Sequence, residues 1–189
     1  MISVFFTSCH EKDEHKTASE LLREKVSSLI GCGEENIVRN ENGRPCLSFG
    51  GDISVSHSHG AVAVALAYTA DRKVCDDEIS SISFSENASH IGVDIETLFD
   101  KTPERCGKIA ERFFFKEEKE ILCGMSDERF VNEFVLMWTK KEAIYKTGAA
   151  GYSSPLSVNT QILPKNAVFH TEQRTVFDKE CTVALCIIQ

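Results

Sequence analysis

The residues most able to do chemistry are two acids in His90-Ile91-Gly92-Val93-Asp94-Ile95-Glu96. On a strand, residues two apart share a face. Ile91, Val93 and Ile95 then face one way, and Gly92, Asp94 and Glu96 the other. Two carboxylates side by side repel, and a cation relieves the repulsion. Oxygen ligands of this kind suit magnesium, which takes one or two carboxylates together with phosphate oxygens and water. Taken alone, the same pattern also fits a solvated edge strand with two exposed acids.

A second stretch, Trp138-Thr139-Lys140-Lys141-Glu142-Ala143-Ile144-Tyr145-Lys146, puts Glu142 and Lys146 four apart. Four apart on a helix is one face. The pair reads either as an ordinary surface ion pair or as a third carboxylate ligand with a lysine reaching a phosphate. A third stretch, Ser54-Val55-Ser56-His57-Ser58-His59, offers the Ser56 hydroxyl and the His57 imidazole at a strand end before Gly60, a combination able to hold phosphate oxygens. His57-x-His59 also resembles a zinc pair, but no other His or Cys has matching spacing. A Ser-His hydrolase would want a G-x-S-x-G elbow, which is absent.

The elements that must position these groups follow from periodicity. Residues 2–6 read as a strand. His15 to Ile30 reads as a helix, with Ala18, Leu21, Leu22, Val26, Leu29 and Ile30 at helical spacing and glycines 31 and 33 ending it. Asn42-Gly43-Arg44-Pro45 is a turn signal. Ile53 to Tyr68 alternates as a hairpin or two adjoining strands. The acidic, serine-rich residues 71–90 read as a loop or solvated excursion. His90 to Glu96 is a strand, Pro103 to Phe114 and Lys116 to Leu122 are helices, and Asp127 to Thr147 is an amphipathic helix. Phe130, Phe134, Met137, Trp138 and Tyr145 are expected on its apolar side, and Gly148 closes it. Short strands follow Pro155. The order β-α-β-β, then β-α-α-β-β, suggests an α+β fold of two similar halves, 1–70 and 91–189, joined by 71–90.

A net charge of −8 without a basic run argues against a nucleic-acid partner. No apolar run approaches the ~18 residues of a membrane span. The first residues lack a basic n-region and read as a strand, not a secretory signal, so a cytoplasmic location is expected. Eight scattered cysteines without a C-x-x-C pair read as buried, reduced thiols.

The motifs also fall in a recognisable order. Gly43-Arg44-Pro45 comes first, then Ile53 to Ser58, Gly92 to Glu96, Arg112-Phe113-Phe114, and Trp138 to Ala143 with Lys146 and Gly148. This set, over about residues 15–158, resembles the larger, surfactin-synthetase-activating (Sfp-like) type of 4′-phosphopantetheinyl transferase. The resemblance implies a monomeric pseudo-dimer of two α+β halves with coenzyme A in the cleft between them. It implies magnesium on Asp94, Glu96 and Glu142, and Lys146 on the pyrophosphate. Ser56 and His57 would bind the coenzyme, the histidine near its 3′-phosphate. Gly43, Arg44 and Pro45 would flank the adenine, and Lys16 and Thr17 would lie near the 3′-phosphate. The implied reaction moves the phosphopantetheine arm to a serine of an acyl or peptidyl carrier protein and releases 3′,5′-adenosine bisphosphate. Glu142 or a metal-bound water would take the serine proton. Phe115 stands where relatives often carry a helix-capping serine, so that cap must be met otherwise. Rival readings are a magnesium-dependent phosphodiesterase and a non-catalytic relative that holds a carrier protein or nucleotide.

Overall fold

The computed structural model describes residues 1–31, 33–41, 43–68, 81–84 and 90–189. Chain order begins with β1 (Ile2–Ser8), helix α1 (Glu14–Ile30), short strands β2 (Ile37–Arg39) and β3 (Pro45–Leu47), the hairpin β4 (Asp52–Ser58) and β5 (Ala61–Ala67), and β6 (Ser81–Phe84). It continues with β7 (His90–Thr97), helices α2 (Pro103–Phe113), α3 (Lys116–Leu122) and α4 (Asp127–Thr147), and the hairpin β8 (Ala167–Val176) and β9 (Lys179–Ile188). Among the described residues the strands form a six-stranded sheet, β2-β3-β4-β5-β1-β6, and a three-stranded one, β7-β9-β8, both antiparallel. The architecture is mixed α and β with two sheets, as expected.

Two elements depart from the sequence reading. Ser81–Phe84, within the stretch read as a loop, is a strand paired with β1. The remainder of 71–89, with Cys32 and Asn42, lies outside the described residues. The last hairpin consists of two ten-residue strands and not short ones. Its turn is held by Phe177 and Asp178, both at positive φ.

The hairpin β4–β5 sorts its side chains by the strand period of two. Val62, Val64 and Leu66 pack under α1 against Ala18, Leu22 and Val26, which recur every four residues along that helix. Ala61, Ala63, Ala65 and Ala67 face the other way, onto Ile91, Val93 and Ile95 of β7. The small alanines let the second sheet approach closely. On the same face of β4, paired to those alanines, stand Asp52, Ser54, Ser56 and Ser58.

This polar row meets the edge of β7 that does not pair with β9. The N–H groups of Ile91, Val93, Ile95 and Thr97 donate to Asp52 Oδ2 (2.7 Å), Ser54 Oγ (2.9 Å), Ser56 Oγ (3.3 Å) and Ser58 Oγ (3.3 Å). A strand edge buried without such partners would cost free energy at every second residue. Side chains of one sheet thus complete the backbone bonding of the other.

The opposite face of β7 packs on α4. A Cβ placed on Gly92 would lie 1.9 Å from the Ala143 carbonyl oxygen, so only glycine permits this approach. Met137, Phe134 and Val135 are buried on α4, and Phe130 and Trp138 pack partly buried with them. Tyr145 departs from expectation: it is 39% exposed and faces a surface cleft. The helix ends at Gly148 in the left-handed region.

Among the described residues the cysteines are free thiols. Cys106, Cys181 and Cys186 are buried as expected, Cys9 and Cys46 are half-buried, and Cys123 is exposed, which corrects the uniform reading. Burial pushes the Cys186 thiol up to about 12 and that of Cys181 up to about 11.

Candidate active site

Strand β7 and helix α4, held together at Gly92, bring Asp94, Glu96, Glu142 and Lys146 into one neighbourhood. Asp94 is 5% exposed. Its Oδ1 accepts the Ser56 hydroxyl at 2.7 Å and the Lys146 ammonium at 2.7 Å, and Lys146 also donates to Ser56 Oγ at 2.9 Å. Its Oδ2 is buried with no hydrogen-bond partner. Burial pushes the Asp94 carboxyl above its usual range against the pull of Lys146 and Ser56, and the negative charge of Glu96 adds to the rise. Glu142 is raised as well, first by burial and then by the charge of Asp94, with Glu96 contributing and Lys146 opposing. Glu96 Oε1 accepts the Ser58 hydroxyl at 2.6 Å and pairs with Lys101 at 3.0 Å.

Among the described residues no three His, Cys, Asp or Glu side chains converge closely enough to form a finished metal cage. The donor set nevertheless fits a hard cation. After burial, the charge of Glu96 raises Asp94, the charges of Asp94 and Glu96 raise Glu142, and a buried Asp94 oxygen is left without a donor. In this structure Lys146 supplies the positive charge that Asp94 faces.

Next to this cluster lies a cleft of about 540 Å³ lined from both sheets, by Pro45 and Arg44 on one side and His90, Tyr145, Lys146 and Tyr152 on the other. A second cavity of about 460 Å³ shares Pro45 and Val55 with it and runs past His57 to His15, Arg23 and Arg39. The two make one groove, basic at its far end and ending at Lys146. Four basic or titratable side chains at the far end suit an anionic ligand.

The comparison with known proteins bears on the half of the chain that carries the acids. Residues 90–182 match the family model described as the 4′-phosphopantetheinyl transferase superfamily. This segment is therefore similar to that superfamily. Two curated relatives agree. The 4′-phosphopantetheinyl transferase gsp of Aneurinibacillus migulanus is 28% identical over 149 residues, covering 77% of this chain and 52% of the relative. The 4′-phosphopantetheinyl transferase ffp of Bacillus subtilis is 29% identical over 154 residues, covering 78% of this chain and 58% of the relative. The chain spans little more than half the length of these relatives.

The matched segment contains Asp94, Glu96, Glu142 and Lys146, and the structure brings these four together. The residues singled out before it are dispersed by local geometry. Ser56 and His57 are neighbours on β4 and so point to opposite faces. Ser56 meets Asp94, while His57 lines the groove, bonded to Glu14 at 2.6 Å and edge-on to His15 at 4.5 Å. Pro45 lines the groove. Gly43 lies at positive φ in an exposed turn and does not line the groove. The Arg44 guanidinium donates to Thr147 O (2.8 Å), Asp52 Oδ2 (2.7 Å) and Ile91 O (2.5 Å). It thereby satisfies an end carbonyl of α4 and ties the first sheet to the second. Lys16 is exposed beside Glu20 at 3.8 Å, and neither it nor Thr17 lines the groove. His15, Arg23 and Arg39 do.

Sequence reasoning passed over Asp52, Ser54, Ser58, Lys101 and the pair Glu118–Lys141. A signal existed for the first three: Asp, Ser, Ser and Ser at alternate positions of a strand whose other side is apolar. The missing cap at Phe115 is met by the Glu118 carboxylate, which accepts the Phe115 N–H at 2.9 Å.

Proposed function

We propose that this protein transfers the 4′-phosphopantetheine arm of coenzyme A to a serine of an acyl or peptidyl carrier protein, with magnesium, releasing 3′,5′-adenosine bisphosphate. The observation that carries this reading is the cluster of Asp94, Glu96, Glu142 and Lys146 at the end of a groove with a basic far end. The names of the relatives support the same reaction.

In this reading 1–70 and 91–189 are the two halves of a pseudo-dimer, and β6 of the connecting segment adds an edge strand to the sheet of the first half. Coenzyme A lies in the groove between them, and the unit acts as a cytoplasmic monomer. The adenine end sits by Pro45, and the 3′-phosphate falls toward His57, Arg23 and Arg39. Asp94, Glu96 and Glu142 would hold magnesium, which would offset the charge gathering on the pyrophosphate oxygens. Lys146 adds a positive donor toward the same phosphates. The carrier serine attacks the phosphorus that bears the pantetheine arm, and the bond to the adenosine bisphosphate breaks. Glu142, its carboxyl raised by burial and by Asp94, is suited to take the serine proton. Holding the reactants in line supplies much of the remaining rate.

The test is the intact mass of several purified apo carrier proteins after incubation with this protein, coenzyme A and magnesium. A gain of one phosphopantetheine arm on at least one carrier is the expected result. Coenzyme A hydrolysed without an acceptor would point to a phosphodiesterase. Carrier or nucleotide bound without turnover would point to a binding protein.

A further inference from the structure

The seam between β4 and β7 repeats one unit of geometry. Ser56 accepts the Ile95 N–H and donates to the carboxylate one residue earlier, Asp94 Oδ1 at 2.7 Å. Ser58 accepts the Thr97 N–H and donates to the carboxylate one residue earlier, Glu96 Oε1 at 2.6 Å. In both units a lysine reaches the same oxygen, Lys146 at 2.7 Å and Lys101 at 3.0 Å. Each carboxylate is therefore pinned at one oxygen by a serine and a lysine.

A hydroxyl has one proton to give and two lone pairs to fill. The backbone N–H of β7 takes one lone pair of each serine and so fixes where its proton points. Ser54 occupies the same offset one step earlier. It accepts the Val93 N–H at 2.9 Å, but the residue before Val93 is Gly92, so its proton has no carboxylate to meet. The row thus contains its own control.

We infer that Ser58, with Lys101, is a positioning residue for Glu96, holding Oε1 so that the rest of the carboxylate is presented to a cation shared with Asp94. The inference rests on the metal reading of the proposed function. A hydroxyl locked by the backbone of the strand that carries the acid keeps that acid in place without adding a charge of its own. Lys101 offsets part of the repulsion between Glu96 and Asp94.

The test is titration of the purified protein with Mn²⁺, following free Mn²⁺ by electron paramagnetic resonance, beside a melting curve for each variant. Ser58→Ala is expected to weaken Mn²⁺ binding about tenfold, the worth of one hydrogen bond to a charged group. Ser58→Thr, which keeps the hydroxyl, restores most of it. Ser54→Ala lowers the melting temperature comparably but leaves Mn²⁺ affinity within about twofold, since it loses a backbone bond of the same kind and no carboxylate contact. If Ser58→Ala does not fold, Ser58→Cys, which keeps the shape but has only a weak S–H donor, takes its place and should weaken Mn²⁺ severalfold. Wild-type affinity in Ser58→Ala, or an equal loss in Ser54→Ala, overturns the inference. Wild-type protein that binds no Mn²⁺ overturns the metal reading beneath it.

Discussion

Helix α4 carries two lysines five residues apart, and the protein uses them in opposite ways. Lys141 and its partner Glu118 are fully buried and 2.8 Å apart. Every polar atom of that pair has work: Glu118 also accepts from Phe115 N, Thr160 N and Thr160 Oγ1, and Lys141 also donates to Val158 O. The Lys141 ammonium lies 4.9 and 5.1 Å from the centres of the Phe114 and Phe115 rings. Burial pushes Glu118 up, but the hydrogen bonds from Lys141, Thr160 and Phe115 outweigh it and hold the carboxyl below its usual range. Lys146 and Asp94 are as close, at 2.7 Å, yet the lysine is partly exposed beside a cleft. There burial wins, Asp94 is raised, and one of its oxygens is unpartnered. A saturated pair fastens α3, α4 and the segment after residue 157 together. An unsaturated pair keeps binding capacity in reserve.

Variants can break this contrast at either end, and the largest effect is expected at the saturated pair. Lys141→Met leaves the Glu118 carboxylate buried without its counter-ion and should cost ~3–5 kcal/mol of stability. Chemical denaturation with both proteins folded in buffer checks this, and a loss below ~1 kcal/mol would mean that Lys141 is not the structural lysine.

At the reserve pair the expectation reverses. Asp94→Asn keeps shape but removes a charge that burial disfavours. Its metal-free melting temperature should hold or rise slightly. The proposed phosphopantetheine transfer should fall by roughly 10²-fold or more, because developing phosphate charge loses its support. Carrier mass gain measured with saturating coenzyme A and magnesium decides it. A near wild-type rate would remove Asp94 from the site.

The smallest effect is a pH difference. The folded carboxyl of Glu118 lies below its unfolded value of ~4.3, so its stabilisation is present above that value and is lost as pH falls through the folded one. Other carboxylates titrate in the same range, so the comparison must be with Glu118→Gln. Melting temperatures from pH 6 downward should fall more steeply in the wild type below about pH 4. Parallel curves would show that the pair contributes no acid sensitivity.

Much of the fold was legible in the sequence because it is written in local periodicity. The bounds of α3 and α4, the hairpin over 52–67 and the division of β7 into an isoleucine-valine face and an acidic face follow from spacings of 3.6 and 2. Asp94 with Glu96, and Glu142 with Lys146, were legible for the same reason as two pairs that each share a face of one element; that the two pairs meet was only implied by the resemblance. β6 escaped because its few residues sit in a polar stretch and owe their strand to pairing with β1. What tertiary structure alone decided is which side chains those faces meet. Ser56 was expected to act with His57, but its hydroxyl belongs to Asp94 and to the edge of β7, because adjacent strand residues point apart. Arg44, expected at a ligand, lines the cleft, but its guanidinium also holds a helix end, an aspartate and a strand carbonyl. Lys141 and Lys146 stand in one motif with nothing in their letters to separate them. Five residues on a helix turn the side chain by well over a quarter of a turn, enough to send one lysine into a closed core with Glu118 and the other to a groove beside Asp94.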